Sequence, residues 1–183
     1  MILHRCFAWN PRARAANEDG PLWFPRAYQG EGRHDNPDVY GCLYVSADAR
    51  SGVVEQLARF RGQRLVPAML LRRGLRLALA AIELPDGERV IDLDEPAVLA
   101  ANGLRPSQVA TRTREVTQPY ALDLYRRHAD AAALGWWSTF ESLWPNYTVF
   151  ERSAEALRLA DVRRLELDDP PLMEAADLLG IAV

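Results

Sequence analysis

Four polar residues stand beside apolar stretches and are of the types that do chemistry. They are Arg33 in a long irregular segment, Tyr44 at the end of a strand-like run, Glu55 in a helix-like run and Ser138 after two tryptophans. A guanidinium offers a planar fork to phosphate oxygens, a carboxylate stabilises positive charge that develops in a transition state, and aromatic faces hold flat rings. Each residue also has a plainer account. Glu55 lies four residues before Arg59, the favourable order for a solvated helix ion pair. Ser138-Thr139-Phe140-Glu141 matches a capping box, so that hydroxyl can simply start a helix. Tyr44 can be strand packing, and Arg33 one of many surface arginines. Among His4, His34 and His128, only His34-Asp35 offers a start for a metal site; its plainer account is a turn in which Asp35 and Asn36 hydrogen-bond their own backbone.

What is missing narrows the field. All 22 basic residues are Arg and none is Lys, which removes lysine Schiff-base chemistry and a P-loop lysine. There is no G-x-G-x-x-G after a strand, no H-E-x-x-H and no G-x-S-x-G. The 25 acidic residues leave a net charge of -3 and a pI near 5.7, against direct binding to a nucleic-acid backbone. Cys6 and Cys42 form neither a disulfide framework nor a zinc pattern, which fits a reducing compartment. The N-terminus carries Arg5 and no apolar signal core, and the longest apolar run, residues 77–82, is far short of a bilayer span. These features lead us to expect a cytoplasmic protein with no membrane partner.

The elements that must position the four residues follow from periodicity. With 183 residues, 49% hydrophobic and 26% charged, one domain over residues 1–183 is expected. Strands are expected over residues 3–8, 40–46, 134–138, 147–150 and 162–167. Residues 75–83 and 89–93 read as a hairpin across Pro85-Asp86-Gly87. Helices are expected over residues 49–60, 96–101, 106–110, 117–133, 153–159 and 172–179, with Thr117 capping the longest. Trp136 and Trp137 alternate across a strand, one toward the core and one toward a pocket or partner. The irregular residues 30–37 are long enough to be a binding loop. Strands and helices mingle without a regular βαβ rhythm, so the fold class is α+β with a mixed sheet flanked by helices.

The ordered set is similar to a known family. Gly32-Arg33, then Tyr40-Gly41-Cys42-Leu43-Tyr44-Val45, then Ala49 and Val53-Val54-Glu55 resemble the front half of the RES domain, named for an arginine, a glutamate and a serine. A Thr-Gln-Pro-Tyr-Ala helix opening, Leu134-Gly135-Trp136-Trp137-Ser138 and Asn146-Tyr147-Thr148-Val149-Phe150 resemble its rear half. The resemblance spans about residues 3–165 and implies an ADP-ribosyltransferase-like fold. It implies a bacterial toxin that takes NAD as substrate and breaks its nicotinamide–ribose bond. Arg33 would grip the dinucleotide, Tyr44 would orient the nicotinamide end, Glu55 would be the principal catalytic carboxylate and Ser138 would complete the pocket. His34, Trp137 and Asn146 join the NAD-binding set; His34 stands where relatives often carry an aromatic residue.

No metal is expected, because nicotinamide is already a cationic leaving group. Phosphate as acceptor would make the protein an NAD phosphorylase, water a glycohydrolase and a protein side chain an ADP-ribosyltransferase; the first two rank ahead. A noncatalytic NAD-binding module is the remaining alternative. The resemblance also implies an antitoxin partner, a small helical DNA-binding protein that covers the NAD site.

Overall fold

The computed structural model describes residues 1–183. In chain order the elements are β1 (Ile2–Ala8), β2 (Cys42–Ser46), α1 (Ala49–Leu57), β3 (Leu71–Arg72), β4 (Leu75–Glu83), β5 (Arg89–Asp92), α2 (Pro96–Ala101), α3 (Pro106–Ala110), α4 (Arg114–Arg127), β6 (Ala131–Trp137), β7 (Pro145–Phe150), β8 (Arg158–Arg164) and α5 (Pro170–Leu178). The fold is α+β with mixed pairing. The chain divides into two compact units, one of residues 1–23, 45–84 and 157–183, the other of residues 24–44 and 85–156. No helix is long and apolar enough to cross a membrane.

In the first unit β4 is the central strand. It pairs antiparallel with β1 from Ile2↔Glu83 to Ala8↔Leu77. Its other edge takes β3 at Leu71↔Arg76 and β8 from Ala78↔Arg164 to Glu83↔Arg158. Both edges are therefore filled, which is why the expected hairpin with residues 89–93 does not form. α1 starts at Asp48, whose carboxylate accepts from the Arg50 N–H at 2.8 Å. It buries Val53, Val54 and Leu57 and packs on β1 and α5. Gly52 fits there because a Cβ would stand 3.2 Å from Ser46 Oγ. Residues 153–159, expected as a helix, instead follow a 3-10 turn (Glu151–Ser153) with a further turn at 154–156 and enter β8 at Arg158; pairing to β4 outweighs the helix propensity of Ala and Glu.

In the second unit β6 lies between β5 and β7. It runs parallel to β5 from Arg89↔Ala131 to Asp92↔Gly135, and antiparallel to β7 from Ala133↔Val149 to Trp137↔Pro145. A parallel pair needs a long crossover, and α2, α3 and α4 supply it. The core under them comprises Tyr40, Ile91, Leu93, Leu99, Val109, Tyr120, Leu124, Leu134, Trp136 and Phe150, among others. α4 begins at Arg114 and ends before His128, so Thr117 lies inside it, not at its cap. Ala131–Ala133, expected at its C-terminus, are strand, because the pairing with β5 buries all three alanines.

Candidate functional site

The loop that carries Arg33 is built around one buried carboxylate. Asp35 is 4% exposed; its Oδ2 accepts from the N–H groups of Gly30 at 2.8 Å and Gly32 at 2.6 Å. Its Oδ1 accepts from the Tyr44 hydroxyl at 2.8 Å and from Cys42 Sγ at 3.4 Å. The Tyr44 oxygen in turn accepts from the His34 N–H at 2.9 Å. Helix α4 holds the loop from the other side. Gln118 Nε2 donates to the carbonyls of Gly30 at 3.0 Å and Gly32 at 2.9 Å, and Thr117 Oγ1 donates to the Arg33 carbonyl at 2.5 Å. Nothing larger than glycine fits at position 32, where a Cβ would lie 2.5 Å from the Tyr44 hydroxyl. The plainer account of Asp35, a turn former bonded to local backbone, holds, and the Tyr44 contact extends it.

His34 is fully buried. One ring nitrogen, Nδ1, lies 2.7 Å from Thr148 Oγ1 and the other, Nε2, 2.8 Å from the Tyr120 hydroxyl. Trp136 Nε1 donates to the same Thr148 oxygen at 3.1 Å. Burial, with the Arg33 charge adding to it, lowers the imidazole pKa well below its ordinary value, so the ring is neutral at pH 7. With both nitrogens engaged and no exposed surface, His34 presents no face for a ligand to stack on. The structure places it as a positioning residue that fixes Tyr120, Thr148 and the loop. Burial, the Cys42 thiol and the Asp35 charge raise the Tyr44 hydroxyl pKa, which keeps its proton on the bond to Asp35.

Arg33 leaves this frame with its Nη1 donating to the Val109 carbonyl at 2.9 Å and its guanidinium carbon 4.5 Å from the centroid of Trp136. The side chain is half-buried. A guanidinium seated on an aromatic face is oriented by it.

Ser138 follows β6 directly. It is 2% exposed, its N–H donates to the Trp144 carbonyl at 3.0 Å, and its Oγ accepts from the Phe140 N–H at 3.1 Å. No helix follows, so the capping-box account fails; the hydroxyl stabilises a tight turn. Asn146 is buried on β7, in register with Trp136. Trp137 alternates with Trp136 along the strand, and both border a cavity of about 190 Å³ with Asp92, Asp94 and Tyr147. Trp136 belongs to the core and also borders this cavity, and Trp137 packs against the edge of the core, so the two are not divided between core and pocket. Burial, and the Asp92 charge after it, raise the Tyr147 pKa.

The second unit thus brings together Arg33, His34, Tyr44 and the turn containing Ser138. Glu55 belongs to the first unit, at an exposed position of α1. Sequence reasoning missed Asp35, Thr117, Gln118, Tyr120 and Thr148 as parts of the frame. Thr117, Gln118 and Tyr120 were within reach, since the Thr-Gln-Pro-Tyr string at the opening of the long helix contains all three.

A search of curated proteins returns no match. Among solved structures the chain is similar to the crystal structure of the M. tuberculosis MbcT–MbcA toxin–antitoxin complex. The identity is 17%, over 97% of this chain and 87% of that chain, with a TM-score of 0.65, a likeness of fold. The RES domain family model matches residues 2–170, a span that contains the Asp35-anchored loop, the Trp136 seat of Arg33 and the Ser138 turn, and on that match the chain belongs to the RES domain family.

Proposed function

We propose that the protein is a toxin-type enzyme that consumes NAD by cleaving its nicotinamide–ribose bond. Family membership supports the reading, and the observation that carries it is the seat of Arg33. An anchored loop and a tryptophan face hold a guanidinium where it can take a diphosphate, in a chain whose other site residues follow in the family's order. Cleavage moves the bonding electrons of the N-glycosidic bond onto the nicotinamide ring nitrogen. This neutralises the leaving group and leaves positive charge at the ribose carbon. In this scheme Glu55 stabilises that charge. Arg33 holds the diphosphate, the Tyr44 ring, its hydroxyl committed to Asp35, orients the nicotinamide end, and Ser138 shapes the pocket wall. An oxygen of water then bonds to the ribose carbon and loses its proton to solvent, or an anionic oxygen of inorganic phosphate bonds there directly.

The residues do not name the acceptor. The scheme itself asks for no metal, and residues 1–183 act in it as one domain. The toxin–antitoxin neighbour supports a second protein as the restraint. A carboxylate or chain end presented to Arg33 would block the site, since its fork accepts carboxylate much as it accepts phosphate; a small helical DNA-binding antitoxin that covers the NAD site is proposed for the part. Expression of the protein alone in bacteria is expected to lower cellular NAD and arrest growth. Normal growth with undiminished NAD, at verified soluble expression, would count against both toxin and restraint.

A further inference from the structure

Arg112 sits in the short link between α3 and α4. The link is extended at Thr111 and Thr113 and held locally, the Thr113 N–H donating to Thr111 Oγ1 at 3.1 Å and the Thr111 hydroxyl to Thr113 Oγ1 at 3.0 Å. From there Arg112 reaches the turn after β6. Its Nε and Nη2 both donate to Thr139 Oγ1, at 2.8 and 2.5 Å, and its guanidinium carbon lies 4.5 Å from the Phe140 ring centroid.

Two features set this contact apart. The Nε/Nη2 edge is a fork that binds oxyanions with two parallel bonds, yet here it converges on one neutral hydroxyl. Neither partner carries charge, where Arg89, Arg127 and Arg163 end on carboxylates and Arg72 and Arg152 each spread over several backbone carbonyls. The chain segments are also those that seat Arg33: Val109 accepts from Arg33 and Trp136 lies under it, while Arg112 and Thr139 follow three residues later on each segment, with Phe140 next. Ser138 ties the second segment together through the Phe140 N–H.

The diphosphate bridge of a dinucleotide carries two negative charges, and Arg33 supplies one positive charge. We propose that Arg112 is the second guanidinium of the diphosphate seat, with the Thr139 hydroxyl holding its fork until a phosphate oxygen takes that place. This deepens the NAD reading and rests on it. It specifies the ligand class as molecules with a diphosphate bridge and makes Arg112 a specificity residue for that bridge, set against nucleosides that lack it.

The test is binding of ADP-ribose and, as an uncharged control, adenosine, measured by titration calorimetry on wild type, Arg112→Gln and Arg112→Lys. NAD turnover of the wild type is followed in parallel. Arg112 is exposed, so both variants are expected to fold, with circular dichroism as the check. Arg112→Gln is expected to weaken ADP-ribose about 10- to 50-fold, the scale of one lost charge-assisted pair, and to leave adenosine unchanged; Arg112→Lys should recover part of the loss. Added salt should weaken ADP-ribose binding more in wild type than in Arg112→Gln. Unchanged ADP-ribose affinity in Arg112→Gln, or an equal loss for adenosine, overturns the assignment. If that happens while wild type turns over NAD, the function stands and only Arg112 falls. A wild type that binds ADP-ribose through Arg112 without consuming NAD leaves the diphosphate seat standing and overturns the cleavage reaction, and one that binds no ADP-ribose overturns both.

Discussion

Glu55→Gln is expected to lower NAD consumption by about two orders of magnitude or more, the usual scale for removing a preorganised charge from a transition state. The substitution keeps the side chain's size and its ability to hydrogen-bond ribose hydroxyls, and removes only the charge that opposes the cation forming at the ribose carbon. The fold should be indifferent to it. Glu55 is exposed on α1, and the helix is held by buried Val53, Val54 and Leu57 on either side. Initial rates of NAD loss, set beside thermal melts of both proteins, separate the two effects. A variant with the wild-type rate would remove Glu55 from the chemistry; one with a collapsed melting temperature would make it structural.

The largest expected loss of stability belongs to a residue that touches no ligand in this account. Asp35→Ala removes the acceptor for two loop N–H groups and for the Tyr44 hydroxyl at once. Each buried donor left unsatisfied costs about 1–3 kcal/mol, so three at once are expected to cost about 3 kcal/mol or more. Asp35→Asn keeps the shape and one acceptor oxygen, so its loss should be smaller. Urea unfolding midpoints of the three proteins test the ranking. Asp35→Ala unfolding at the wild-type midpoint would show that the loop is held by Gln118 and Thr117 without it. Because the same carboxylate fixes the Tyr44 hydroxyl and the turn into Arg33, any surviving Asp35→Ala protein should also bind ADP-ribose poorly.

Local pattern and long-range packing account for what was legible. The strands around Tyr44 and Trp136, α1 with its Val53–Leu57 stripe and the short helices α2 and α3 follow from periodicity and Pro/Gly punctuation, which act over a few residues. Periodicity did not single out Arg33, Tyr44, Glu55 and Ser138; only their order, through its resemblance to the RES pattern, did. The place of His34 was not legible, because what buries it comes from Tyr120 and Thr148, 86 and 114 positions away. The alanines at 131–133 read as helix on propensity and became strand through pairing with β5. Ser138 carried a helix-start pattern, yet the antiparallel return from Trp137 to Pro145 leaves room only for a turn, so the hydroxyl bonds to Phe140 two residues on. Asp35 read correctly as a backbone-bonding turn residue. That it also holds the Tyr44 hydroxyl depends on a strand nine residues later folding back over it.

Incubation of the purified protein with NAD, with and without inorganic phosphate, and identification of the products by chromatography and mass spectrometry tests the central claim most directly. The account predicts release of free nicotinamide in step with NAD loss, together with ADP-ribose in water or a phosphorylated ADP-ribose when phosphate is the acceptor. NAD that stays intact in both buffers, with folded protein in the tube, would contradict it.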